Sequence, residues 1–228
     1  MSTTSRTAHG ASRSARRRKE RARKQQQKRF PVFGVIATGI VLLFIATFML
    51  TRSDVEPDAG NAVAQTSATE VAGDTLPPLD DPADDAAVGM GAPEASGTDF
   101  DGQRVAISDD GRPKLIVFLA HWCSHCQAEV PVVQGWLNQK GFPEGVNLYS
   151  VSTSVDEAQP NYPASEWLER EGWRVPVIRD DAASSIAAAY GVNGFPFFVF
   201  VDADGKVVKR ASGELPIGTI EAALATLR

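Results

Sequence analysis

The only two cysteines of this chain, Cys123 and Cys126, lie three positions apart, between two segments of different periodicity. Residues 115–120, Leu-Ile-Val-Phe-Leu-Ala, are an unbroken apolar run typical of a buried strand, and residues 127–136 have the spacing of a helix. The pair therefore lies where a strand turns into a helix. There the first thiol faces the unpaired N–H groups and the positive end of the helix, which stabilise a thiolate. This arrangement favours redox chemistry.

Three structural interpretations of the cysteine pair are less consistent with the sequence. A structural zinc site needs four ligands, and neither Cys nor His follows Cys126. Covalent haem attachment needs His directly after the second Cys, where this chain has Gln127. A disulfide that served only as a staple would close a very small loop and constrain the unfolded chain little. A catalytic pair is the favoured interpretation.

Composition divides the chain into four segments. Residues 1–29 contain 11 Lys or Arg against one acid and are predicted to be a disordered tail. Residues 30–50 carry no charge, and at about 1.5 Å per residue they span about 30 Å, which predicts a transmembrane helix. Residues 51–91 are rich in Ala, Asp and Pro and are predicted to be a flexible, disordered linker. Residues 92–228 contain all four tryptophans and are long enough to bury one core.

The charges that flank the apolar segment predict its orientation. Basic residues precede it and acidic residues follow it, so the positive-inside rule places the tail in the cytoplasm and residues 92–228 outside the cell membrane. A cleaved signal peptide is the competing interpretation, but no small-x-small site follows the apolar core closely, and an uncleaved single-pass anchor is favoured. Topology control and contact with the lipid bilayer explain the arginines better than nucleic-acid binding or twin-arginine export.

Strand-like and helix-like segments alternate through residues 92–228 and end in a hairpin and a helix. A first hairpin is predicted over residues 97–107, strands over 115–120, 146–153 and 197–201, and an extended segment over 175–178. Helices are predicted from Cys123 onward, with Pro131 kinking or restarting that helix, and over 164–172, 182–190 and 217–227. Trp136, Trp167 and Trp173 have the spacing of core residues. This order predicts an α/β fold with a mixed central sheet flanked by helices.

Residues 92–228 resemble the thioredoxin-like fold, and within it the membrane-anchored, extracytoplasmic thiol-disulfide oxidoreductases of the TlpA/ResA type, which are DsbE-like. The resemblance is carried by Ala92-Pro93, residues 118–131 (FLAHWCSHCQAEVP), residues 189–196 (AYGVNGFP), residues 201–206 (VDADGK) and Gly213. It implies disulfide exchange with protein substrates, either in cytochrome c maturation or in disulfide formation or reduction in exported proteins. It also implies a monomer that needs no cofactor besides the Cys123–Cys126 disulfide and that exchanges electrons with a membrane redox partner.

The resemblance also implies roles for individual residues. Cys123 matches the exposed nucleophile and Cys126 the buried thiol that resolves the mixed disulfide. Glu129 matches a carboxylate that relays the proton of the buried thiol, and Pro196 a cis-proline that lies against the disulfide. The substrate-binding residues that it implies are Trp122, which packs beside the pair, and Phe195, whose backbone can pair with an incoming peptide strand. His121 stands where the family commonly has Thr or Glu, and we add it to the substrate-binding residues because it flanks Cys123.

The chain departs from the family at the two residues between the cysteines, Ser124 and His125, where a proline usually precedes the second Cys. An imidazolium at His125 would favour the Cys123 thiolate and so make the disulfide a better oxidant, and we include His125 among the catalytic residues. Glu129 has a simpler alternative role as a first-turn acid that complements the helix dipole.

Two functional questions stay open in the sequence. The direction of electron flow is undecided, because both an oxidant and a reductant of exported proteins fit the motif. A binding protein is the alternative to an enzyme, since His121-x-Cys123-x-x-Cys126 could hold one soft ion such as Cu(I), which would make the chain a membrane-anchored metallochaperone.

Overall fold

The structure is a computed structural model that describes residues 63–227 of the chain. Within that range it contains eight strands and four helices. In chain order they are β1 (Glu70–Ala72), β2 (Glu94–Thr98), β3 (Arg104–Ile107), β4 (Lys114–Leu119), α1 (Ser124–Lys140), β5 (Asn147–Ser152), α2 (Ala164–Arg170), β6 (Val177–Arg179), α3 (Ser185–Ala189), β7 (Phe197–Val201), β8 (Val207–Ser212) and α4 (Ile217–Leu224). This order confirms the predicted hairpin, strands and helices, and α1 continues through Pro131.

The central sheet is mixed, as the sequence predicted. Its strand order is β6-β5-β4-β7-β8. β4, β5 and β6 are parallel to one another, and β7 is antiparallel to both of its neighbours, β4 and β8. Every residue of β4 and β7 is buried, because helices and loops cover both faces of the sheet, and this explains their unbroken apolar sequences. The carboxyl end of β4 leads directly to the cysteine pair.

A hydrophobic core lies on each face of the sheet. One is formed with α1, α2 and α4 and includes Cys126, Trp136 and Trp167, with Trp173 partly buried against it. The three tryptophans are therefore core residues, as predicted. The other core is formed with α3 and includes Tyr190. Cys126 is thus anchored in the first core while Cys123 lies at its edge.

The prediction of a flexible linker that extends to residue 91 is wrong for residues 63–91. They belong to the same compact unit as residues 92–227. β1 pairs with β2, and Leu76, Leu79 and Ala87 are buried in the second core. Composition predicted disorder because the segment has few large apolar residues, but the burial of Leu76, Leu79 and Ala87 together with the pairing of β1 and β2 docks it on the rest of the fold.

Asp85, in the acidic run of residues 80–85, forms a buried ion pair with Arg210. The carboxylate of Asp85 accepts hydrogen bonds from Nε and Nη2 of Arg210, at 2.9 and 2.5 Å, and both side chains are buried. Nη1 of the same guanidinium donates to the carbonyl oxygens of Pro77 and Tyr190. The Arg210 guanidinium holds the pKa of Asp85 below its usual range. This ion pair fastens the N-terminal segment to β8 and to the residue that follows α3.

The predicted basic tail, transmembrane helix and first part of the linker (residues 1–29, 30–50 and 51–62) lie outside the described residues. Within residues 63–227, none of the helices combines the length and the apolar character that crossing a membrane requires.

Candidate active site

The cysteine pair lies at the N-terminus of α1, as its place between a strand and a helix predicted. Cys123 is the residue before the helix, with extended backbone angles, and its side chain is partly exposed. Cys126, in the first turn, is fully buried. Both are free thiols in this structure. An accessible sulfur is therefore placed to react with another molecule, and a sheltered sulfur follows it on the first turn of the helix.

The Cys123 thiol contacts the loop that precedes β7. Its Sγ donates to the carbonyl oxygen of Phe195 at 3.4 Å, and the peptide bond between Phe195 and Pro196 is cis. The Trp122 and Phe195 rings meet edge to face, with their centroids 6.0 Å apart. The fold therefore gathers Trp122, Phe195 and Pro196 beside Cys123, although about 70 residues separate the loop from the motif along the chain.

Glu129 lies on α1 one turn after Cys126 and is 3% exposed. Burial raises the pKa of the Cys126 thiol, and negative charge on Cys123 and on Glu129 raises it further. Burial also raises the pKa of Glu129, while a hydrogen bond from the Leu215 N–H, at 3.3 Å, opposes that shift. The buried thiol thus needs a base to lose its proton, and a carboxylate with increased proton affinity is the nearest acid in sequence.

His125 lies between the cysteines on the exposed side of α1. Its Nδ1 is 2.7 Å from Oε1 of Glu214, an acid that sequence reasoning missed. The two residues are 89 positions apart, so spacing could not reveal the pair. The one available signal was that Glu214 directly follows Gly213, which belongs to the family pattern. A carboxylate therefore accompanies any positive charge on His125.

His121 is not available to bind a substrate, and this prediction is wrong. The side chain is 1% exposed. Its Nδ1 is 2.8 Å from the carbonyl oxygen of Pro160, and its Nε2 accepts from the backbone N–H of Asp156 at 3.2 Å. The Trp122 Nε1–H donates to the carbonyl oxygen of Ser154. His121 and Trp122 together hold the loop of residues 154–163 against the start of the motif.

The copper site that the spacing of His121, Cys123 and Cys126 allowed is not assembled. Both ring nitrogens of His121 already have hydrogen-bond partners within the loop of residues 154–163. Across residues 63–227, no three His, Cys, Asp or Glu side chains come together in a way that could hold a metal ion. The three-ligand site that the sequence suggested is therefore not formed within the described residues.

Comparison with known proteins agrees with this site. A family model described as Redoxin matches residues 87–227. The chain belongs to the Redoxin family. This Redoxin chain is 27% identical over 128 residues to the thiol-disulfide oxidoreductase ResA of Bacillus cereus, an alignment that covers 56% of this chain and 70% of ResA. It is 32% identical over 107 residues to the thiol:disulfide interchange protein HelX of Rhodobacter capsulatus, covering 46% of this chain and 55% of HelX.

A solved structure supports the fold. The thiol:disulfide interchange protein of the thioredoxin family from Chlorobium tepidum TLS matches with a TM-score of 0.51 and 21% identity, over 61% of this chain and 96% of that one. The predicted thioredoxin-like fold of the folded part is thereby confirmed. The names of the relatives, together with the exposed and buried cysteine pair, confirm the predicted class of enzyme, a thiol-disulfide oxidoreductase of the ResA type.

Proposed function

We propose that this chain exchanges disulfides with protein substrates outside the cytoplasmic membrane, through Cys123 as nucleophile and Cys126 as resolving thiol. The observation that carries the proposal is the asymmetry of the pair. The Cys123 sulfur is partly exposed and contacts the Phe195 carbonyl, whereas the Cys126 sulfur is fully buried. Only the Cys123 sulfur can meet a substrate, and only the Cys126 sulfur is sheltered from a competing substrate.

The exchange balances as a two-electron transfer in two displacements. The Cys123 thiolate attacks one sulfur of a substrate disulfide, which forms a mixed disulfide and releases the first substrate thiolate. Cys126 then passes its proton to Glu129 and attacks the Cys123 sulfur, which closes the Cys123–Cys126 disulfide and releases the second substrate thiolate. The substrate gains two electrons and the protein loses them. Run in reverse, the same steps oxidise a substrate dithiol.

The sequence and the site also support a cellular location and a class of substrate for this exchange. The cluster of basic residues before the predicted transmembrane helix supports a location outside the membrane for the folded part. We propose that a membrane redox partner restores the state of the pair after each turnover. The Trp122 and Phe195 rings and the Phe195 backbone line the approach to Cys123 and fit an extended peptide of a protein substrate. Apocytochrome c and other exported proteins with cysteine pairs are the substrates that we propose.

Exchange activity and the redox state of the pair in cells test the proposal together. Purified full-length protein should reduce insulin disulfides with dithiothreitol as electron source, and both Cys123→Ser and Cys126→Ser should reduce them far more slowly. In cells, acid trapping followed by alkylation should show the pair mostly oxidised for an oxidant or mostly reduced for a reductant. Equal insulin reduction by wild type and Cys123→Ser would refute the proposal.

A further inference from the structure

Residues 213–215, which connect β8 to α4, contact three functional positions of the site, and we call them the brace. The Gly213 N–H donates to the carbonyl oxygen of Pro196 at 2.8 Å. The Leu215 N–H donates to the Glu129 carboxylate at 3.3 Å. Between these two amides, the Glu214 carboxylate lies 2.7 Å from Nδ1 of His125. One tripeptide thus joins the cis-proline loop, His125 and the candidate proton relay Glu129.

The pair between Glu214 and His125 contributes little to stability, because both side chains are about half exposed or more and water screens them. The location of this pair matters for Glu129 instead. The two charged groups lie at the exposed end of the brace, and the amide of the next residue, Leu215, contacts the buried carboxylate of Glu129 at the other end. The surface ion pair of Glu214 and the hydrogen bond to buried Glu129 therefore involve adjacent residues of the brace.

We propose that Glu214 is a positioning residue of the exchange reaction, which couples His125, between the two cysteines, to Glu129, the acceptor of the Cys126 proton. Glu214 docks the brace on α1 through His125, and the docked brace keeps the Leu215 amide on Glu129. The inference deepens the proposed function and rests on it.

The charges around Glu129 give the coupling its direction. Three groups act on this carboxylate: Cys126 on its own helix, Glu214 from the brace, and the Leu215 amide, which is neutral. The negative charge of Glu214 raises the pKa of Glu129. A protonated His125 compensates that charge, whereas a neutral side chain at position 125 leaves it uncompensated. His125 therefore acts on the pKa of Glu129 through Glu214.

A double-mutant cycle on the full-length protein tests the coupling directly. Glutamate labelled with carbon-13 at the side-chain carboxyl, in reduced protein held in detergent micelles, allows the titration of Glu129 to be followed by NMR, with Glu129→Gln to assign its signal. Glu214→Gln keeps the length and the hydrogen-bonding oxygen and removes the charge. We expect it to lower the titration midpoint of Glu129 by about half a pH unit, the scale of a partly screened Coulomb interaction. The shift should shrink at about 1 M salt.

His125→Asn completes the cycle. In the wild-type background it should raise the Glu129 midpoint, because the charge of Glu214 loses its partner. In the Glu214→Gln background it should leave the midpoint unchanged. Glu169→Gln, which removes a carboxylate from the exposed side of α2, is the matched control and should not move the midpoint.

The inference is overturned if Glu214→Gln leaves the Glu129 midpoint at its wild-type value, or if His125→Asn shifts it equally in both backgrounds. An effect of His125 on Glu129 that does not pass through Glu214 predicts that second result. The NMR titration needs no exchange activity, so a protein that fails to reduce insulin would refute the proposed function while these midpoints still decide the coupling.

Discussion

Replacing Glu129 with Gln sets two physical effects at Cys126 against each other. The negative charge of Glu129 contributes to the raised pKa of the Cys126 thiol, so its removal makes that thiol easier to ionise. If charge alone mattered, the variant would resolve its mixed disulfide faster than the wild type. If Glu129 instead accepts the proton of Cys126, its loss removes the base, and resolution becomes slower.

The structure indicates which effect is larger. Burial is the main cause of the raised pKa of Cys126, and the charge of Glu129 is the smallest of the contributions, so the gain from removing that charge is small. Cys126 is fully buried and Glu129 is 3% exposed, so water has poor access to replace the lost base. A positioned general base contributes about 100-fold to 10,000-fold. We expect resolution in Glu129→Gln to be about 100-fold slower.

A single-turnover assay separates the resolving step from substrate binding. Cys123 is first converted to a mixed disulfide with thionitrobenzoate, whose coloured thiolate is released when Cys126 attacks. Its release is followed against pH in wild type, Glu129→Gln and the control Glu169→Gln. Wild type should lose rate as the pH falls and Glu129 becomes protonated, and the control should match it. A rate in Glu129→Gln equal to or above that of wild type would leave Glu129 with only an electrostatic role.

Three further predictions follow from single side chains. Asp85→Asn leaves a buried guanidinium without its counter-charge and should lower the free energy of unfolding by about 3–5 kcal/mol in urea titrations. Because the pKa of Asp85 is lowered in the folded protein, the wild type should remain more stable than the variant at neutral pH. This difference in the free energy of unfolding should disappear as the pH falls through the lowered pKa. An equal loss at all pH values would contradict the ion pair. His125→Pro should lower the reduction potential measured against glutathione, and an unchanged or higher potential would show that His125 does not favour the thiolate. His121→Ala should speed proteolytic cleavage within residues 154–163 without unfolding the sheet, and an unchanged cleavage rate would show that the loop is held by other contacts.

The order of strands and helices could be predicted from the sequence because it depends on local patterns. The apolar runs of β4 and β7 are buried on both faces, and the motif between β4 and α1 fixes where the site lies. The roles of Cys123 and Cys126 followed from this junction together with the family pattern. Partners such as Phe195 and Pro196 came from the resemblance, since no local rule brings a distant loop to the motif.

The errors have a common physical cause, which is that burial and pairing depend on contacts distant in sequence. Asp85 was assigned to an acidic linker because its partner Arg210 lies 125 residues further along the chain. His121 was expected to face a substrate because it is next to the motif, but the loop of residues 154–163 covers it. Glu214 was missed for the same reason. Composition and spacing report on neighbours in sequence and give no information on such pairs.

The most direct test of the account is a comparison of the two cysteine variants as traps for substrates. Cys126→Ser, expressed at its natural level in the native host, should accumulate disulfide-linked adducts with exported proteins through Cys123, and these adducts should disappear on reduction. Cys123→Ser should trap none, because its remaining thiol is buried. If adducts form through Cys126 alone, or if Cys126→Ser forms no more of them than the double variant, Cys123 is not the nucleophile and the account is wrong.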